Sequence, residues 1–215
     1  MLSKIISIVN GLRAYAAPVV QNFRPPENET LVVPAEAYAN SDLWHGICIH
    51  HSSTVDGLTN DWDGIRRYHM SYRIDGVIVD EATFKNRQLL GHGKKFEKPW
   101  RDVGYHGCWE NVNGVYQFKM GRPWNMAGAH AGVGKDNTYN ETHLGLCVVG
   151  NWDTIEPPKG LWDLCLKSTR EIMARLKIDK VNVIGHYEVY DKLGLPRKKS
   201  CPGKMFSMDR YRSAL

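Results

Sequence analysis

No stretch of this chain approaches the roughly 20 consecutive apolar residues that a helix needs to cross a bilayer, so no transmembrane segment is expected. Internal repeats and low-complexity tracts are missing as well, which leaves an ordinary globular domain as the expectation. Cysteine is sparse and irregular: five residues, at 48, 108, 147, 165 and 201, with no short regular spacing. An odd, scattered set in a chain of this size is not a disulfide framework. Cys48 and Cys147 lie in the apolar stretches Ile47–Ile49 and Leu144–Val149 and read as small buried hydrophobes, which suits folding in a reducing compartment. Charge of one sign is also scarce. Twenty-eight Lys and Arg against 23 Asp and Glu leave a net charge of only +5, and Arg197, Lys198 and Lys199 form the one tight basic cluster. Nucleic-acid binders carry a denser basic patch and a recognisable motif, so no nucleic-acid partner is expected. A mild positive charge would help approach to an anionic surface without selecting one.

What the chain does have is 215 residues, 42% of them hydrophobic, enough to bury a sizeable core without staples. Seven Trp and ten Tyr divide between two readings, core packing and the lining of a groove for a sugar or peptide. Met1 to Ala17 carries Lys4, a short apolar run and Ala14-Tyr15-Ala16, a faint likeness to a signal peptide. Asn10, Gly11 and Arg13 interrupt the run, so the segment reads instead as a helical extension of a protein that stays cytoplasmic on synthesis. Arg24 to Glu29 then reads as an extended polar connector, giving an extension over residues 1–40 and a domain over 41–215.

Within the domain, Trp44 to His50 reads as a buried strand, and Asp61 caps a helix that begins near Trp62. Val77 to Val79 suggests a short strand, whereas Gly91 to Pro99 is basic and loop-like. Gly104–Trp109 and Val115–Lys119 form a hairpin with Asn-Gly in its turn. Gly121 to Thr142 reads as a long loop and His143 to Gly150 as a buried strand. An amphipathic helix follows over about Leu161–Leu176, then a strand from Val181 to Ile184 that runs into Gly185-His186. Strands interleaved with helices predict a single α/β domain with a mixed central β-sheet flanked by helices.

Compact metal signatures such as CxxC or HExxH are absent, yet three scattered positions could place ligands at strand ends or in adjoining loops. His50 closes the first strand, His186 follows the last, and Cys201 lies in Lys199-Ser200-Cys201-Pro202. Two imidazoles and a thiolate suit a catalytic zinc with one coordination position left for solvent. Taken singly, each residue reads as well as structural. Their company decides it. His50-His51-Ser52-Ser53-Thr54, Trp100 to His106, Gly128-Ala129-His130-Ala131, Tyr139-Asn140, Leu144 to Gly150, Gly185 to Val189 and Lys199 to Pro202 occur in the order of the type 2 N-acetylmuramoyl-L-alanine amidases and peptidoglycan recognition proteins. The resemblance covers about residues 44–206 and is closest to the phage lysozyme-amidases, or endolysins.

That resemblance implies an amidase-like fold and hydrolysis of the amide between N-acetylmuramic acid and L-alanine in peptidoglycan. It implies one zinc ion per chain on His50, His186 and Cys201, with Tyr105 beside the reacting water and Lys199 near the scissile carbonyl. His130 matches a substrate-groove histidine, and Asn140 matches an asparagine that either touches substrate or holds its loop. His51 falls on the other face of the strand, and His69, His106 and His143 read as structural. Residues 73–100 and 132–138 are longer than in the phage members, and Cys147 stands where wall-recycling relatives carry a glutamate. The alternatives are therefore a binding module that does not cut, and a cytoplasmic amidase for soluble wall fragments. For the extension the alternatives are packing on the domain's own surface and docking a protein partner.

Overall fold

The structure, a computed structural model, describes residues 32–38, 43–54, 61–133 and 136–215. The expected helix at residues 2–17 and the connector at 24–29 lie outside them. A five-stranded mixed sheet runs through the centre. Its strands are β1 (Gly46–His51), β5 (Gly107–Val112), β6 (Val115–Met120), β7 (His143–Val148) and β8 (Val183–Gly185), in the order β6-β5-β7-β1-β8. β5, β7, β1 and β8 are mutually parallel, and β6 returns antiparallel to β5 through the Asn113-Gly114 turn, where both residues have positive φ. Parallel strands covered on both faces read as continuous apolar runs, as β1 and β7 do.

Side-chain alternation sorts the two faces. Ile47, Ile49, Leu144, Leu146, Val148 and Trp109 join one buried cluster with Leu161, Cys165 and Ile172 of the long helix α4 (Lys159–Leu176). Trp109 Nε1 donates to Ser168 Oγ at 2.6 Å, satisfying the one polar atom that the ring carries into this core. On the opposite face Cys48 packs with Ile184, Val189 and Tyr190, and Cys108 and Cys147 pack with Trp62, Val103 and Val149. All five cysteines are buried thiols. Residues 32–38, assigned from the sequence to the extension, dock on α4: the Val32 N–H and the Tyr38 hydroxyl both donate to Glu171, at 2.9 and 3.0 Å.

The segment between α1 (Trp62–His69) and β5 holds more structure than its sequence signals. β2 (Tyr72–Ile74), β3 (Val77–Val79) and β4 (Phe96–Glu97) form a small antiparallel sheet, ordered β3-β2-β4, with α2 (Glu81–Leu89) beside it. Asp80 caps α2 by accepting from the Thr83 N–H at 2.8 Å. α2 escapes periodicity arguments because Phe84 is its one buried residue, while Leu89 is 86% exposed. The expected loop at 121–142 likewise ends in a short helix, α3 (Thr138–Thr142). Past β8 come α5 (His186–Lys192) and α6 (Met208–Ala214). Among the described residues no helix is long and apolar enough to cross a membrane.

The start of α1 is fixed from the sheet. Glu110 of β5 is buried; its carboxylate accepts from the Trp62 N–H at 2.7 Å and pairs with Lys119 at 2.6 Å. Replacing Glu110 with Ala strands that buried N–H and is expected to lower unfolding free energy by about 1–3 kcal/mol, read from denaturant midpoints. An unchanged midpoint would contradict the anchoring role.

Candidate metal centre

β1 and β8 are neighbours in the sheet, and their register pairs Ile49 with Gly185. The next residue of each chain segment is a histidine. His50 and His186 therefore emerge side by side at the carboxyl edge of the parallel strands, the usual location of sites in open α/β sheets. Gly185 closes β8 and caps α5, its N–H donating to Glu188 at 2.7 Å, while Glu188 is held in turn by Arg212 at 2.8 and 3.0 Å. The backbone that carries His186 is thus fixed from below.

Cys201 reaches this edge from a loop pinned at two points. The Tyr187 N–H donates to the Cys201 carbonyl at 2.9 Å, and the His51 N–H donates to Cys201 Sγ at 3.3 Å. The sulfur then lies 3.6 Å from His50 Nδ1, and the His50 and His186 rings are 4.6 Å apart, centroid to centroid. Ligand atoms from His50, His186 and Cys201 all fall within 4.8 Å of one another. All three residues are buried, and among the described residues His186 Nε2 has no hydrogen-bond partner. Zinc bonds of about 2.0 Å to nitrogen and 2.3 Å to sulfur, meeting at a tetrahedral angle, set such donors about 3.6 Å apart. The His50–Cys201 pair already has that spacing, and an orphaned buried nitrogen is what a missing ligand bond leaves. The residues fit a metal ion.

Burial dominates the electrostatics. It holds His50 well below the ordinary imidazole range, with further depression from His186, His130 and Lys199, and it lowers His186 to about 3, with Lys199 adding to the effect. Both rings are neutral, as ligands must be. Burial pushes the Cys201 thiol up to about 12, against a smaller lowering by the His51 N–H and by Lys199.

The cluster opens into a cavity of about 450 Å³. Tyr105 and Lys199 line it, as do His69, Trp100 and Ser200. The Tyr105 ring is 5.1 Å from His50, and burial raises its phenol, which stays protonated. Lys199 is exposed at the rim. His51 also borders the cavity but faces away from the cluster, its Nδ1 accepting from the Trp152 N–H at 3.3 Å. His106 spans the Gly145 N–H and the Met126 carbonyl, at 2.9 Å each, a structural role. His69, read as structural from the sequence, in fact lines the cavity, stacked on Trp100 at 4.5 Å. Its place at the end of α1, on the same face as Ile65, was the available signal.

The two residues expected at the substrate are placed differently. One side of His130 borders the cavity, but both its ring nitrogens are engaged within the protein. Asn140 is turned inward: its Oδ1 accepts from the His130 and Ala131 N–H groups, both at 2.7 Å, and its Nδ2 donates to Asn137 at 2.9 Å. With its amide committed to the loop that carries His130, Asn140 is a positioning residue and does not face the cavity.

Comparison with known proteins agrees with this architecture. The sequence matches the N-acetylmuramoyl-L-alanine amidase family over residues 40–204. Peptidoglycan-recognition protein LB of Drosophila melanogaster is 29% identical over 136 residues, covering 63% of this chain and 52% of that protein, so the chain spans about half the length of the curated relative it matches. Among solved structures, the endolysine N-acetylmuramoyl-L-alanine amidase LysCS from Clostridium intestinale URNW matches with a TM-score of 0.50 at 19% identity, covering 90% of this chain and 97% of that one. That likeness is one of fold.

Seven histidines, at 50, 51, 69, 106, 130, 143 and 186, are held below the ordinary imidazole range chiefly by burial. As pH falls below about 6.5 the unfolded chain gains protons that the native rings refuse, so stability present above that pH is lost progressively toward about pH 4. The denaturant midpoint of metal-free protein should hold between about pH 8 and 7 and drop steeply by about pH 5. A midpoint that stays level to pH 5 would contradict neutral buried rings.

Proposed function

This chain belongs to the N-acetylmuramoyl-L-alanine amidase family, and from that premise we propose that it hydrolyses the amide joining N-acetylmuramic acid to L-alanine in peptidoglycan, with one zinc ion on His50, His186 and Cys201. The observation that carries the proposal is the convergence of these three buried donors, all within 4.8 Å, at the base of an open cavity. Zinc held there supplies a Lewis acid that polarises a carbonyl and brings the pKa of water to around 7. Tyr105, kept protonated by burial, is a fixed hydrogen-bond donor for the oxygen that gains negative charge as the amide carbon becomes tetrahedral. Lys199 brings a mobile ammonium to the same rim, suited to that oxygen or to protonating the departing amine. His69 and Trp100 offer a flat wall against which a sugar or peptide can lie.

The finer role we propose is that of a wall-lytic enzyme of the endolysin kind. Its support is the motif resemblance to the phage branch, together with Cys147. In register with His50 on the neighbouring strand, that thiol is fully buried, and burial raises its pKa, so no acidic base stands at the position where wall-recycling relatives carry glutamate. A binding module without catalysis is disfavoured by the presence of the thiol ligand.

The tests follow from the donor chemistry. Cys201→Ser is expected to abolish release of new alanine N-termini from purified wall while wall pelleting persists; wild-type rates in this variant would contradict the reading. Tyr105→Phe should lower kcat about a hundredfold or more with little change in KM, because it removes a donor used in the transition state. With both imidazoles already neutral and the thiol protonated, zinc uptake below about pH 6, well under the pKa of around 7 that zinc gives to water, should release one proton. Apparent zinc affinity should then rise about tenfold per pH unit between about pH 5 and 6, whereas a pH-independent affinity, or release of two protons in that range, would contradict this donor set.

A further inference from the structure

Behind the three-residue cluster runs a chain of hydrogen bonds that the amidase reading does not use. His50 Nε2 lies 2.9 Å from His130 Nδ1, and His130 Nε2 lies 3.0 Å from the carbonyl oxygen of His143, the first residue of β7. The carbonyl can only accept, so His130 Nε2 carries a proton. Both rings are buried, and among the described residues neither has a carboxylate as a hydrogen-bond partner. An imidazolium buried without a carboxylate is strongly disfavoured, so each ring holds one proton. His130 Nδ1 is then an acceptor, His50 donates to it from Nε2, and the lone pair of His50 is left on Nδ1. That is the nitrogen 3.6 Å from Cys201 Sγ.

The His130 ring has one seat. Asn140 clamps its backbone N–H at 2.7 Å. Glycines close both sides: a Cβ on Gly145 would fall 2.2 Å from His130 Cδ2, and one on Gly128 would fall 2.3 Å from the same atom. No larger residue at either position leaves the ring where it is. The backbone of β7 therefore decides which nitrogen of His50 is free.

We propose that His130 is a positioning residue that fixes the tautomer of His50, receiving the Nε2 proton so that Nδ1 is presented to the metal beside Cys201. The purpose of the relay rests on the metal-centre reading above, but its protonation pattern is a property of the metal-free protein. Partners of this kind, behind a ligating histidine, typically contribute 10–100-fold in metal affinity. Cys48, His50 and His130 also bring ligand atoms within 4.8 Å of one another, so a second ion between the two rings is the competing arrangement. It would take the place of the shared proton.

The experiment uses the 215-residue chain with 15N-labelled histidine rings, as wild type, His130→Ala and His130→Asn. In metal-free wild type, the ring 15N shifts should show His50 protonated at Nε2. Competition with a chromophoric zinc chelator should show one zinc per chain, affinity lowered about 10–100-fold in His130→Ala, and partial recovery in His130→Asn, whose side-chain oxygen can accept near the Nδ1 position. A wild-type His50 protonated at Nδ1 overturns the proposal, as does unchanged zinc affinity in His130→Ala or a stoichiometry of two zinc ions. Because the tautomer is read in the wild type, a variant that fails to fold leaves the proposal open to refutation. A wild type that binds no zinc would sink the metal-centre reading instead, and the His50 tautomer would then decide this proposal alone.

Discussion

The parallel register of β1 against β8 is the constraint on which the rest depends. Because Ile49 lies opposite Gly185, two histidines far apart in the chain leave the sheet at the same level and on the same edge. A one-residue slip would turn one of them to the opposite face and dismantle the pair. The register is enforced by the core, since Ile47 and Ile49 must face α4 and Cys48 must face Ile184. Packing on both sides of the sheet thereby sets the geometry of the site. The Cys201 loop adds the third donor through two backbone N–H groups, one from α5 and one from β1, so the sulfur is referenced to β1 and to the helix that follows β8.

Burial does the second part of the work. It keeps the imidazoles neutral and the Tyr105 phenol protonated, and it leaves the Cys201 thiol reluctant to ionise until a cation arrives. A site built this way is poised for a metal and poorly suited to proton chemistry without one. Lys199 adds positive charge at the rim, which further disfavours protonation of both rings. Neutral, buried imidazoles are also what the proposed zinc site requires of its nitrogen donors.

Much of this was legible in the sequence, for reasons that can be named. β1, β7 and α4 carry strong apolar patterns because they are buried on one or both faces, and the Asn-Gly turn declares the β5–β6 hairpin. The order of the short motifs around His50, Tyr105, His130, His186 and Cys201 carried the family resemblance. What stayed hidden was whatever depended on three-dimensional company. α2 and the small sheet bury too few residues to impose a period. His69 reads as one more helical residue until Trp100 is seen stacked on it. His130 and Asn140 stand out through the motifs they sit in, but only coordinates reveal that one backs His50 and the other holds the loop beneath it.

Cobalt(II) substitution tests the central claim most directly, because its visible and near-ultraviolet spectrum reports coordination number and thiolate ligation without any assay of turnover. The wild type should show intense visible bands of a four-coordinate ion and a sulfur-to-metal charge-transfer band, with the latter lost in Cys201→Ser. A weak six-coordinate spectrum, or a charge-transfer band that survives removal of Cys201, would contradict it.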